Sequence, residues 1–129
     1  MPKMTQLTLS LASKPGVLAQ VTSALARAGV NIMAICAAES SGARGKIRIL
    51  VDNPARAIEA LKAARVRAGQ EDVLTVTLDD RPGTLAEVAE KLARARVNVK
   101  CAYATTGGGS ALVVLTVSNV PKAQAALTG

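Results

Sequence analysis

Residues 81–88 read RPGTLAEV, and residues 14–21, sixty-seven positions earlier, read KPGVLAQV. A chain of 129 residues has the size of one domain or of two very small ones. The echo argues for two. Residues 7–32, LTLSLASKPGVLAQVTSALARAGVNI, lie in register over residues 74–99, LTVTLDDRPGTLAEVAEKLARARVNV, with about half the positions identical. The later halves align at an offset of sixty-six, KIRILVDNPARAIEAL over LVVLTVSNVPKAQAAL, so the intervening loop has lost one residue. The repeat divides the chain into a first domain over 1–69 and a second over 70–129.

Each copy carries the same succession of periodicities. Alternation at Leu7, Leu9 and Leu11, and at Leu74, Val76 and Leu78, predicts a half-buried strand. After Pro-Gly, apolar residues recur at helical spacing through Val21 and Leu25, and through Val88 and Leu92. Pro15 and Pro82 suit a first helical turn, where a missing N–H has no intrahelical acceptor to lose. Gly29 ends the first helix; Arg96 holds that place in the second copy, where the turn must bend differently or carry strain. A second strand is expected over 31–37 and 98–104, then a turn, SSGARG or TTGGGS, and a third strand through Ile47, Ile49, Val51 and Val113, Leu115, Val117. Asn53 caps a second helix with Pro54 at its start, and Arg65-Val66-Arg67 supplies a short fourth strand. The order is βαββαβ, an α+β fold with two helices on one face of an antiparallel sheet. The second copy ends at Gly129 without a fourth strand, which leaves an open sheet edge for a partner, in the simplest case a homodimer.

Composition limits the functions available. Half the residues are apolar, yet there is no Phe, no Trp and one Tyr, so the core is aliphatic. No apolar run approaches the roughly 18 residues that a membrane span needs, and the start, MPKMTQLTLSL, lacks a leader pattern, so a cytoplasmic protein is expected. Cys36 and Cys101 sit in apolar segments and read as small hydrophobes, not a disulfide. Without His or a paired Cys motif, neither a metal site nor a cofactor is expected. The net charge of +7 invites a nucleic-acid partner. The cations are dispersed, however, and stacking platforms for bases are missing. Arg44, Lys46 and Arg48 alternate along a strand, as on a solvated face.

A βαββαβ unit with Pro15, Gly16 and Leu18 at its first turn and Gly29-Val30-Asn31-Ile32 at the helix exit resembles the ACT domain family. The second copy carries Pro82, Gly83, Leu85 and Val97-Asn98-Val99 at the matching positions. The resemblance spans nearly the whole chain, twice. It implies a stand-alone tandem regulatory protein that binds a free amino acid and controls an enzyme or regulator by contact. It also implies two units packed as a pseudo-symmetric pair, with the ligand held between a strand-to-helix loop and the neighbouring unit.

The residues of that loop fit such a ligand. A helix that starts after Pro-Gly leaves the N–H groups of Gly83, Thr84 and Leu85 free for a carboxylate. Gly83 allows close approach, and Asp79 and Asp80 can accept from an ammonium; equally, Asp80 can simply cap the helix. The candidate ligand residues are therefore Asp79, Asp80, Arg81, Pro82, Gly83, Thr84, Leu85 and Asn98 in the second copy. In the first they are Asn31, Ser13, Lys14, Pro15, Gly16, Val17 and Leu18. Because Ser13-Lys14 replaces the acidic pair, the second loop is the favoured one, with Asn31 adding a contact across the interface. No nucleophile or phosphate-loop pattern points to catalysis, and no catalytic residue is assigned. The alternatives are an interaction subunit without ligand binding and a nucleic-acid-associated regulator.

Overall fold

The computed structural model describes residues 3–39 and 42–128. Ten elements follow in the order β1 (Lys3–Ala12), α1 (Val17–Arg27), β2 (Ile32–Glu39), β3 (Arg44–Val51), α2 (Pro54–Ala63), β4 (Gly69–Asp79), α3 (Thr84–Arg94), β5 (Val99–Gly107), β6 (Ser110–Val117) and α4 (Val120–Thr128). They fall into two compact units. One runs from Thr5 to Glu71, and the other contains Asp72 onward together with Lys3 and Met4.

In the N-terminal unit β3 lies between β2 and β1, antiparallel to both. The register sets Leu7 opposite Ile49 and Leu9 opposite Ile47. With period-2 alternation, these side chains share the face on which α1 and α2 pack. Val21 and Leu25 of α1 and Ala57 and Leu61 of α2 close the core, all fully buried. The C-terminal unit repeats this with Leu74 opposite Leu115, Val76 opposite Val113, and Val88, Leu92, Ala123 and Leu127 from its helices. Both cores are wholly aliphatic, as the composition requires.

The capping of the second helix follows the sequence. Asn53 Oδ1 accepts from the Arg56 N–H at 3.1 Å with Pro54 in the first turn, and Asn119 Oδ1 accepts from the Lys122 N–H at 3.0 Å in the other unit. The first helices differ from expectation. Pro15 and Pro82 lie in the turns before them, and the caps are Gly16 and Gly83, both left-handed with φ of 92° and 93°. A carbon added at either would meet nothing within 4 Å, so backbone conformation and not space demands glycine there.

A further expectation changes. Arg65-Val66-Arg67 is not a strand: Arg65 ends α2 in a left-handed turn with φ of 62°, and Val66 buries its side chain. The strand begins only at Gly69, and Gly69–Glu71 belong to the N-terminal unit, where Gln6 Nε2 donates to Glu71 Oε1 at 2.8 Å. Arg96 adopts φ of 59° in the place where Gly29 has 72°, so the second copy keeps the same turn and carries the strain. Ser40 and Ser41 of the SSGARG turn lie outside the described residues; Gly42 and Ala43 both have positive φ. Among the described residues no strand follows α4. Cys36 and Cys101 are free thiols, each half-buried. Among the described residues no helix is long and apolar enough to cross a membrane.

Candidate functional site

The turn from β1 into α1 is fixed from two sides. The Ser13 N–H donates to the Ala43 carbonyl at 2.8 Å, and Ser13 Oγ donates to Glu39 Oε2 at 2.8 Å. Gly16 then reverses the chain, its carbonyl accepting from the Gln20 N–H at 2.9 Å. Helix geometry therefore leaves the N–H groups of Val17, Leu18 and Ala19 without intrahelical acceptors. Val17 makes only a long 3.4 Å contact to the Lys14 carbonyl.

These elements border a cleft of about 150 Å³. Leu11, Ala37 and Ile47 give it an apolar wall, Ser13, Lys14 and Glu39 a polar edge, and Val17 and Leu18 bring the start of α1. The cleft thus gathers a carboxylate, a cation and a helix N-terminus along its lining. Glu39 escapes sequence reasoning because it lies on a different strand, 26 positions from Ser13. One signal for it existed: it is the first acidic residue in the chain. The N-terminal copy therefore does have an acid beside its loop, supplied by β2 and not by the turn.

The C-terminal loop is built differently. Arg81 Nε lies 3.6 Å from Asp79 Oδ2 with both side chains exposed. Thr84 Oγ1 donates to the Asp79 carbonyl at 2.9 Å. The Asp80 N–H donates to the Gly109 carbonyl at 3.0 Å, and the helix has no side-chain cap, so Asp80 does not cap it. A hollow of about 280 Å³ beside this loop is lined mainly by polar groups, among them Asp79, Arg81, Thr84, Glu87 and Lys91. Pro82, Gly83 and Leu85 are exposed in the same turn, Leu85 at 49%.

The two asparagines stand elsewhere. β2 runs from Ile32 beside Val51 to Glu39 beside Gly45, so Asn31 lies a strand length, about 25 Å, from the Ser13 turn of its own unit. Its N–H donates to Asp52 Oδ1 at 3.0 Å. Asn98 is its counterpart, donating through its N–H to Ser118 Oγ at 3.0 Å. Both tie the helix exit to the end of the third strand.

No curated protein matches the sequence. Among solved structures, a protein from Bacteroides thetaiotaomicron is 32% identical, with a TM-score of 0.92 over 98% of this chain and 87% of its own. The ligand-free regulatory subunit of aspartate kinase from Thermus thermophilus is 22% identical, with a TM-score of 0.72 over 96% of this chain and 87% of its own. The corresponding subunit from Thermus flavus is likewise 22% identical, with a TM-score of 0.72 over 96% and 88%. At that identity these two subunits speak to the fold. The family model described as the ACT domain pair matches residues 2–128. With nearly the whole chain matched and both βαββ halves in place, the protein belongs to the ACT domain pair family.

Proposed function

We propose that this protein is a non-enzymatic regulator that responds to a free α-amino acid and acts on an enzyme or another regulator by contact. The reading rests on one observation above others: the cleft at Ser13–Leu18 brings Glu39, Lys14 and the start of α1 to one site. An α-amino acid carries both charges. Its carboxylate would meet the unpaired N–H groups and dipole of α1, its ammonium would meet Glu39, and its side chain would lie against Leu11, Ala37 and Ile47. The fold shared with aspartate kinase regulatory subunits is compatible with such a role.

The first loop suits this ligand better than the second. Asp79 is already engaged by Arg81, and in the hollow beside it polar side chains outnumber the apolar Leu78, Val88 and Leu127. Two or three charge-assisted hydrogen bonds of roughly 1.5–3 kcal/mol each give micromolar to millimolar affinity after binding costs. Calorimetric titration of the full chain against the twenty amino acids tests the proposal. Absence of binding to all of them would favour an interaction subunit without a ligand.

We further propose a homodimer, joined through β2. That strand lies at the edge of its sheet with only β3 beside it. It bears no charge between Ile32 and Ala38, and Met33 and Ile35 are each 40% exposed. A long apolar edge is a template for pairing.

A further inference from the structure

We propose that the hollow at the end of α2 is a binding site for a small phosphorylated molecule, its phosphate held by Lys62, Arg65 and Arg67. The hollow, of about 350 Å³, is lined by these three cations with Ile58, Val66 and Ala68. Ile58, Lys62 and Arg65 stand at i, i+4 and i+7, so they continue one face of the helix. The chain then turns at Arg65, whose φ is 62°, and Val66 buries its side chain in the core. That anchor brings Arg67 and Ala68 back beside the same face.

Cations at a helix C-terminus ordinarily serve to cap its last carbonyls. Here the backbone does so. The Ala64 N–H donates to the Ala60 carbonyl at 3.2 Å, the Arg65 N–H to the Lys62 carbonyl at 3.0 Å and the Val66 N–H to the Leu61 carbonyl at 2.8 Å. The three cationic side chains make no ion pair or hydrogen bond among the described residues. Glu59, the one acid of α2, does not line the hollow.

The turn itself does not require these charges. The same pair of bonds closes α1, where the Gly29 N–H donates to the Ala26 carbonyl and the Val30 N–H to the Leu25 carbonyl, both at 3.0 Å. It also closes α3, where Arg96 donates to Ala93 at 3.0 Å and Val97 to Leu92 at 2.9 Å. The places of Lys62, Arg65 and Arg67 are taken by Ala26, Gly29 and Asn31 after α1, and by Ala93, Arg96 and Asn98 after α3. Of three copies of one turn, only that of α2 gathers cations at all of them.

Charge and reach identify the ligand. A phosphomonoester carries about −1.5 to −2 charges and three strong acceptor oxygens at neutral pH, enough to engage all three cations. A lone carboxylate offers two oxygens and one charge. The guanidinium forks of two arginines match phosphate bidentately. The dipole of α2 opposes an anion at this end with only about half a charge, against three full cations. Because the cations fall within residues 62–67, they close on one phosphate and do not follow a row of them. No aromatic residue lines the hollow to stack a base, so a nucleic-acid strand fits poorly. The volume falls in the range of roughly 300–1,000 Å³ typical of small-molecule sites, with Ile58, Val66 and Ala68 as a wall for the rest of the molecule. The amino-acid cleft shares none of these residues, so the two sites stand or fall separately.

The test is a nitrogen-15 NMR titration of the full chain with propyl phosphate at about 150 mM salt, where long-range attraction is screened. Amide shifts should centre on residues 58–68, with affinity in the millimolar range or tighter. Succinate, a dianion whose charges lie on separate carboxylates, should bind about fivefold more weakly. Arg65→Gly keeps the left-handed turn, as Gly29 does after α1, and Arg67→Gln removes a charge beyond it. Each should weaken propyl phosphate about fivefold, and Arg65→Gly should do so with no loss of thermal stability. Arg94→Gln, which removes an exposed cation from the last turn of α3, should leave binding within about twofold. Shifts centred elsewhere, equal binding of succinate, an equal loss in Arg94→Gln, tighter binding of heptauridylate at the same amides, or no binding at about 10 mM propyl phosphate would each overturn the proposal.

Discussion

Ser13 Oγ and Glu39 Oε2 meet at 2.8 Å, although the residues come from the end of β1 and the end of β2. The contact joins the strand-to-helix turn to an acid that lines its unit's cleft. It orients a carboxylate that is otherwise exposed, and it leaves the second carboxylate oxygen, Oε1, for another donor.

If that oxygen accepts from a ligand ammonium, Glu39→Gln removes the charge and keeps the shape. The affinity for an amino acid should fall about tenfold to a hundredfold, the loss expected when a charge-assisted bond of 1.5–3 kcal/mol is removed. Unfolding should change by less than about 0.5 kcal/mol, as for other surface substitutions. Calorimetry and urea denaturation measure the two separately. Unchanged affinity would place the ammonium away from β2.

Ala37 forms part of the apolar wall of the same cleft and is itself exposed. Ala37→Leu should fill the space without entering the core. We expect loss of binding for the larger aliphatic amino acids first and retention for alanine or glycine. A variant that binds every amino acid as the parent does would show that the ligand does not use this wall.

Glycine at the turn cannot be probed so simply. Gly83 and Gly16 have φ above 90°, a region that side chains rarely adopt, so Gly83→Val would strain the loop whether or not a ligand binds there. Loss of binding in such a variant would need an accompanying stability measurement to be informative.

The repeat made most of the fold legible. Alternation placed three strands per copy, and Asn53 with Pro54 marked the second helix correctly, because these signals depend on local chemistry. The fourth strand was misplaced at Arg65–Arg67 because Arg-Val-Arg alternates as a strand does, while the left-handed turn at Arg65 is set by how α2 ends. The candidate site was half legible. Pro-Gly identified the turn, but its acid arrives through the pairing of β2 with β3, a long-range register that single-sequence patterns do not specify. Asp79 and Asp80 adjoin the Pro-Gly motif in sequence, and Asp79 pairs with the exposed Arg81.

Arg96 offers a stability test of the repeat itself. It is exposed and holds φ of 59° where its counterpart is Gly29. A non-glycine residue in this region costs about 1–2 kcal/mol relative to glycine, partly offset by the greater freedom of glycine in the unfolded chain. Arg96→Gly should therefore stabilise the protein by about 0.5–1 kcal/mol, read as a higher urea midpoint with unchanged slope. The reverse change, Gly29→Arg, should destabilise it by a similar amount.

The exposed edge of β2 leads to the last expectation. Antiparallel pairing of β2 with the β2 of a second copy would set two uncharged segments side by side and cover Met33 and Ile35 from both. Like charges directly opposite one another destabilise a sheet, and between Ile32 and Ala38 this strand has none to oppose. Light scattering at tens of micromolar protein should then give twice the mass of the 13.2 kDa chain. Ile35→Lys would set lysines into the shared edge, the device by which natural sheets block such pairing, and should yield a monomer whose helical content and amino-acid affinity are preserved. A monomeric parent would refute the dimer directly. A dimeric Ile35→Lys would locate the interface away from β2.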